Sequence, residues 1–272
     1  MRALVVTAVP AEADSVTAGL AAHGPSTVVR LPGGSTLRRC AGPAVTVDVL
    51  PAGVGPAAAA AATAAALTSA VYAYGAQPHG TGAAEGGAGV ERGSAPTGAA
   101  TSDRVPAPGS GYDLVVSAGI GGGFLGVAPV GSLVVADAIV AADLGAETPD
   151  GYLAVEELGF GRSVHLPAPL SARLATTLGA VHGPVLTVST VTGTATRATE
   201  LSSRHPRAAA EAMEGFGVAE AAVAHGVPVV EIRAISNAVG PRDRAAWRIG
   251  EALDALRTAF RQLVPVLEEE AA

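Results

Sequence analysis

EAMEGFGVAEAAVAHGVPVVEIRAISNAVG, residues 211 to 240, is the stretch on which the reading of this chain turns. Its first half is an alanine-rich, helix-like segment that opens near Met213 and Glu214. Its second half, from Val227, is an apolar β-branched run that ends on Ser236 and Asn237. A helix leading directly into a strand with no regular polar alternation describes one unit of an α/β sheet whose strands are buried on both faces. The unit carries a carboxylate at one end and a neutral amide at the other. Taken singly, Glu214 reads as a capping or solvated group near a helix start, and Asn237 as a turn former at a strand end.

The same alternation extends outward in both directions. ALVVTAV, AVTVDVLPAG, DLVVSAG, GSLVVADAIVAAD, VLTVSTVTG and VPVVEIRAIS are strand-like, and PAAAAAATAAALTSAVYAY and AEAMEGFGVAEAAVAHG are helical. The pattern predicts one α/β domain spanning residues 1 to 272, a sheet covered by helices. Residues 75 to 111 are of a different material, dominated by Gly, Ala, Pro and Ser with no apolar period, and are expected to form a flexible insertion on the surface.

Composition narrows the function. The formal net charge is -7 over 272 residues, with no basic block, which argues against nucleic acid and against an anionic membrane surface as partners. The single cysteine, Cys40, has no internal partner, so nothing suggests an oxidising compartment and the cytoplasm is expected. Pro10, Glu12 and Asp14 interrupt the first apolar run before it could serve as a signal core. The uncharged stretch from 56 to 74 lacks basic flanks and reads as a packed helix, not a span.

SAGIGGGFLG, residues 117 to 126, places Gly121, Gly123 and Gly126 in the spacing of a dinucleotide fingerprint. The context refuses that reading: Pro129 and Gly131 lead straight into another strand, and no helix follows to hold a pyrophosphate. A glycine-lined loop between two strands remains, in which the bare backbone of Gly119, Ile120 and Gly121 could approach a sugar or a base, or simply form a tight turn. Glu12 sits on what looks like the first turn of a helix after the first strand. A carboxylate there complements the helix dipole, and the C-terminal end of a strand is also where ligand crevices form in open α/β sheets.

Together these pieces resemble the purine nucleoside phosphorylase and nucleosidase family. The first strand with Glu12, PAGVGPAAAAAA, SAGIGGG with VGSLVVAD, TVSTVTGT with Thr192, the Met213–Glu214 pair and RAISN all occur in the family's order. Only residues 75 to 111 fall clearly outside the likeness. The resemblance implies a central mixed sheet flanked by helices, a small-molecule nucleoside as substrate, neither cofactor nor metal, and a homo-oligomer. It also implies roles: Glu12 activates water, Glu214 grips the ribose hydroxyls, Met213 packs on the sugar, and the glycine stretch and Thr192 line the site. Glycoside cleavage of this kind passes through an oxocarbenium-like state, which a nearby anion and a stabilised leaving group both favour. Asn237 is the informative exchange. Relatives that cleave 6-aminopurines tend to carry Asp there, whereas an amide offers a donor to O6 and an acceptor to a proton on N7, as hypoxanthine requires.

Two departures matter. Thr196 stands where relatives place an aromatic that stacks on the purine, and the glycine stretch holds no arginine of the kind a phosphate site uses, so water is the simpler nucleophile. Trp247 lies where related nucleosidases put an aromatic against the 5'-substituent, with Arg242 and Arg244 beside it as cations for an acidic group. The alternative for Trp247 is a ring sealing a helix onto the sheet, and for the arginines a solvated surface. Two further functions stay open on the sequence: cleavage or phosphorolysis of another purine nucleoside, and nucleoside binding without catalysis. The presence of Glu12, Glu214 and Asn237 weighs against the second.

Overall fold

The computed structural model describes residues 1–75 and 111–272. Residues 76–110, and with them the insertion expected at 75 to 111, lie outside the described residues. In chain order the elements are β1 (Arg2–Thr7), α1 (Pro10–Gly19), β2 (Ser26–Arg30), β3 (Thr36–Ala41), β4 (Thr46–Pro51), α2 (Pro56–Gly75), β5 (Leu114–Gly123) and β6 (Leu133–Ala141). There follow β7 (Gly145–Thr148), β8 (Gly151–Ala154), β9 (Val164–His165), α3 (Leu170–Leu178), β10 (Val181–Thr187), α4 (Ala195–Arg204), β11 (Ala210–Ala212), α5 (Gly215–Ala224), β12 (Val229–Ala238) and α6 (Ile249–Glu270).

One mixed sheet runs β11-β10-β6-β12-β5-β1-β4-β3-β2. Its centre is parallel, with β5 between β1 and β12, while β6 lies antiparallel to β12 and the hairpin β2–β3 continues antiparallel from β4. β11 also pairs antiparallel with the end of β5, so β5, β12, β6, β10 and β11 close into a ring. The side-chain period of two sorts the core onto two faces. Ala3 and Val5 of β1 face α1, α3 and α6 with Val16, Leu174 and Phe260, and Leu4 and Val6 face α2 and α5 with Leu67, Phe216 and Val218. Both faces are covered, which is why these strands read as unbroken apolar runs.

Two expectations need correction. The glycine stretch is not a loop: Ser117 to Gly123 continue β5 as its last residues, held by β12 along one side and, at Gly122 and Gly123, by β11 on the other. The stretch from Ala210 is not helical throughout, since Ala210–Ala212 form β11 and the helix begins only at Gly215. Three residues are too few to show a period of two beside a helix of similar composition.

Away from the sheet's C-terminal edge, one charged group lies fully inside the fold. Asp48 on β4 accepts hydrogen bonds from Arg39 Nε at 2.8 Å, Arg2 at 2.6 Å and the Tyr112 hydroxyl at 2.6 Å. Burial pushes its carboxyl up, but the bonds from Arg39, Tyr112 and Arg2 outweigh that and hold it below the usual aspartate range. Tyr112 answers in the opposite sense, its hydroxyl raised by burial and by the Asp48 charge.

Candidate active site

A cavity of about 370 Å³ opens at the C-terminal ends of β1, β5 and β12, the edge of an α/β sheet where ligand crevices form. Its wall gathers most of the residues singled out in the sequence: Glu12, Ile120, Gly121, Thr192, Met213, Glu214, Asn237, Arg242 and Trp247. Gly119 and Arg244 are not on the wall.

Glu12 is positioned by the start of α1. Pro10 supplies the fixed φ that suits a first helical position, and the Glu12 side chain folds back on its own helix entry. One carboxylate oxygen accepts from the amides of Ala8 at 2.9 Å and Val9 at 3.2 Å; the other reaches across to the amide of Ile120 on β5 at 2.9 Å. The group is 3% exposed. Burial raises its pKa, and the Ile120 amide, the Arg233 charge and the Val9 amide oppose the rise without cancelling it. The helix-entry role and the site role are thus met by the same side chain.

The reach from α1 to β5 explains Gly119. A Cβ there would fall 2.6 Å from a Glu12 carboxylate oxygen and 2.8 Å from an Arg233 guanidinium nitrogen. Gly119 therefore serves the site from behind, by leaving room for Glu12 and Arg233.

Glu214 stands at the N-cap position of α5, its side chain turned away from the helix amides, and is also buried. It accepts from the Gly55 amide at 3.2 Å and from Arg233 at 3.1 Å. Arg233 is enclosed and also donates through Nε to Glu231 at 2.9 Å and through a terminal nitrogen to Ser117 Oγ at 3.1 Å. Burial raises the carboxyl of Glu231, offset in part by Arg233. Sequence reasoning passed over Glu231 and Arg233, yet a signal was present. Two opposite charges two residues apart in an otherwise apolar strand share one face, and inside a sheet covered on both sides they must be paired.

At the end of β12, Ser236 Oγ donates to Asn237 Oδ1 at 2.8 Å, and Asn237 Nδ2 donates to the Ala238 carbonyl at 3.0 Å. These contacts fix the amide so that one N–H and one carbonyl lone pair remain for the cavity. Across the wall, Thr192 gives its amide at 2.8 Å and its hydroxyl at 2.5 Å to the two oxygens of Glu211, a buried wall residue absent from the sequence reading. Burial raises the Glu211 carboxyl, and the Thr192 donors pull it part of the way back. Glu211 escaped notice because it sits in β11, the strand hidden at the head of a helical pattern.

Trp247 closes the outer rim. The guanidinium of Arg242 lies 5.2 Å from its ring centre and that of Arg244 lies 5.9 Å away, within cation–π range, so both arginines meet the ring although only Arg242 also faces the cavity. Thr196 lies on α4, exposed and off the wall, and among the described residues Trp247 is the wall's only aromatic. Among the described residues no group of three or more His, Cys, Asp and Glu is placed to hold a metal ion, and no helix is long and apolar enough to cross a membrane.

Residues 2–267 match the family model described as Phosphorylase superfamily. A futalosine hydrolase of Acidothermus cellulolyticus is 41% identical over 269 residues, covering 97% of this chain and 90% of that protein. The futalosine hydrolase of Streptomyces coelicolor is 73% identical over 158 residues, 58% of this chain and 67% of its relative. Among solved structures, an S-adenosylhomocysteine nucleosidase of Streptococcus pyogenes, in complex with 5-methylthiotubericidin, superposes with a TM-score of 0.70 at 16% identity, covering 99% of this chain and 97% of the other. A match along nearly the whole chain, on a mixed sheet whose strand ends carry this cavity, makes the protein a member of the phosphorylase superfamily, on the branch of the futalosine hydrolases.

Proposed function

We propose that the protein hydrolyses the N-glycosidic bond of futalosine, releasing hypoxanthine and leaving dehypoxanthine futalosine, a step of menaquinone biosynthesis. The observation that carries the reading is the convergence of Glu12, the Met213–Glu214 pair and Asn237 on one cavity in a chain 41% identical, over nearly its full length, to a futalosine hydrolase.

Glu12 is the general base. Its raised pKa gives a carboxylate that is more basic than an exposed one, and it takes a proton from water as the water meets the anomeric carbon. Glu214, held by Arg233 and the Gly55 amide, receives the ribose hydroxyls, and Met213 packs against the sugar ring. As the glycosidic bond breaks, its electrons leave with the purine and positive charge grows on the ribose, which the buried carboxylates stabilise. Asn237 donates to O6 and accepts a hydrogen bond from N7–H; the departing purine takes up that proton from solvent, and Glu12 returns to solvent the one it took from water. Gly121, Ile120 and Thr192 border the base. Trp247 lies against the 5'-substituent, and Arg242, with Arg244 next to it, faces that group's carboxylate.

Water is favoured over phosphate because, among the described residues, Arg242 is the only cation on the cavity wall, and Arg233 behind it is enclosed and hydrogen-bonded to Glu214, Glu231 and Ser117. We further propose a cytoplasmic homo-oligomer. The exposed apolar side chains of Leu125, Phe160 and Leu166 offer surface for a second copy, and sedimentation velocity would show a single monomeric species if that is wrong. The function is tested by chromatography after separate incubation with futalosine, inosine and methylthioadenosine, each with and without phosphate. Hypoxanthine from futalosine, independent of phosphate, is the expected result; base release only with phosphate, or from the other nucleosides alone, would overturn it.

A further inference from the structure

We infer that Glu231 is a positioning residue for the proposed hydrolysis: it anchors Arg233 through Nε and so keeps that cation from pairing with Glu12, the general base. The inference rests on the proposed reaction and takes up a buried carboxylate to which that reaction gives no task.

Arg233 and Glu12 border the same space beside Gly119, where a Cβ would lie 2.6 Å from a Glu12 carboxylate oxygen and 2.8 Å from an Arg233 terminal nitrogen. The glycine sets no side chain between them, yet among the described residues no hydrogen bond or ion pair joins them. What restrains Arg233 is its own bonding. Nε donates to Glu231 on the same strand, one terminal nitrogen to Glu214 at the head of α5, and the other to Ser117 on β5. The Nε bond sits at the root of the guanidinium, so it fixes the plane in which both terminal nitrogens lie. The charged groups that face Glu12 are Arg233 from β12 and Glu214 from α5, with Arg242 on the same cavity wall. The turn into α1 and the end of β5 present the backbone amides of Ala8, Val9 and Ile120. Around Arg233 itself stand Glu231, Glu214 and Glu12.

A general base must keep a lone pair that water can approach, and an ion pair with arginine would stabilise its carboxylate and make it a poorer proton acceptor. Arg233 has N–H groups to spare beyond its three bonds, so only its orientation withholds them from Glu12. Balancing the charge of Arg233 needs no second anion, because Glu214 already pairs with it at 3.1 Å. Glu231 is nevertheless fully buried, and its Oε2 has no hydrogen-bond partner among the described residues, a costly arrangement for a carboxylate. Gly215, the first residue of α5, makes the room: a Cβ there would fall 2.2 Å from one carboxylate oxygen of Glu231 and 2.3 Å from the other. A carboxylate so costly to bury, in space cleared for it on the backbone, has a task beyond the ion pair. Held between Glu231, Glu214 and Ser117, Arg233 steadies Glu214 for the ribose hydroxyls and leaves Glu12 to its amides and to water.

The competing role is structural, in which Glu231 does no more than balance a buried charge. We would measure the pH profile of kcat/KM on futalosine for wild type, Glu231→Gln and Gly215→Ala. Beside it we would titrate Glu12 by carbon-13 NMR of glutamate-labelled protein, its signal assigned by its loss in Glu12→Gln. Glu231→Gln removes the anion at Nε, and Gly215→Ala drives a methyl group against the carboxylate and dislodges it. Both changes free the guanidinium to turn toward Glu12 and favour its ionised form. The acid limb of kcat/KM and the NMR midpoint are therefore each expected to move down by about one pH unit. Glu12 is then a weaker base, and kcat above the limb is expected to fall roughly 3- to 10-fold with KM little changed. An NMR midpoint that stays in place or rises in a folded variant would overturn the inference, because the structural role calls for lost stability alone. A wild type that cleaves no nucleoside would end the hydrolase reading, and the NMR midpoints, which need no turnover, would then decide on Glu231 by the same criterion. If Glu231→Gln does not fold, Gly215→Ala decides alone; if neither folds, the carboxylate serves the core and the inference falls.

Discussion

Individual side chains here serve the scaffold and the site at once. Glu12 closes the entry of α1 and faces the cavity, and only the second task needs a proton acceptor. Glu12→Gln is expected to lower kcat by roughly 10²- to 10⁴-fold while nucleoside binding changes little. Near wild-type turnover in a folded variant would remove Glu12 from the mechanism. A base must be ionised, and burial raises this carboxyl, so the acid limb of kcat/KM is expected above the ordinary glutamate value of 4.5, with activity lost as pH falls through it. Asn237→Asp replaces the N–H proposed to face O6 with an oxygen, so the ratio of kcat/KM on futalosine to that on its 6-amino counterpart is expected to drop about 10-fold or more. An unchanged ratio would mean that Asn237 does not meet the purine edge. Glu12, Met213, Glu214 and Asn237 were legible because each sits in a recognisable run at an element's end. Glu211 was not, since a lone glutamate among alanines carries no mark of the strand that orients it.

Among the elements, β5 decides the most. The sequence shows a strand followed by glycines and invites a break between them, because glycine is usually a weak strand former. Here tertiary context prevails: strands on both sides supply hydrogen bonds, and neighbouring groups claim the space that side chains would occupy. Gly119 is the case that bears on the site. Gly119→Ala would drive a methyl group against the Glu12 carboxylate and Arg233, and either could yield only by leaving its partners. We expect kcat/KM to fall at least about 100-fold, with a stability loss on the order of 1 to 3 kcal/mol by urea unfolding. An active Gly119→Ala enzyme would show that Glu12 need not stay where it is seen. The antiparallel hairpin β2–β3 was also missed. Its strands are short, β2 is largely exposed and β3 fully buries only Leu37 and Cys40, so the unbroken burial that makes the central strands conspicuous is absent there.

For the molecule as a whole, the α/β class and the covered sheet followed from the alternation of apolar runs with alanine-rich segments, while strand order depended on pairings between distant residues that no local pattern encodes. Two predictions belong to this scale. Asp48 ties β4 to β1 and β3 through Arg2 and Arg39, which are about one third exposed. Asp48→Asn is expected to cost about 3 kcal/mol at neutral pH. Because the folded carboxyl lies below its unfolded value of 3.8, its contribution is complete above that value and lost as pH falls through the lower folded one. The urea midpoints of wild type and variant should therefore converge in strong acid; a constant gap would point to lost packing. The second concerns residues 76–110. Gly111 re-enters beside α2, where an added Cβ would lie 2.8 Å from that of Ala70, so the chain returns to the helix it left. Replacing 76–110 with a short Gly/Ser linker is expected to leave kcat/KM and Tm nearly unchanged. Insoluble protein would show that the segment packs on the fold.

Gly122 pairs with Glu211 of β11 on one side and with Asn237 of β12 on the other, which bears on how such a cavity could change what it accepts. Backbone ladders are indifferent to the side chains they carry, so replacing either residue leaves the strand pairing in place, and only Thr192 would lose a partner at Glu211. Glu12 and Glu214 are tied to Ile120, Gly55 and Arg233 and have no such freedom. The wall built by β11 and β12 is therefore the part of the cavity most open to drift and to redesign, and the carboxylates anchored on α1 and α5 are the part least so.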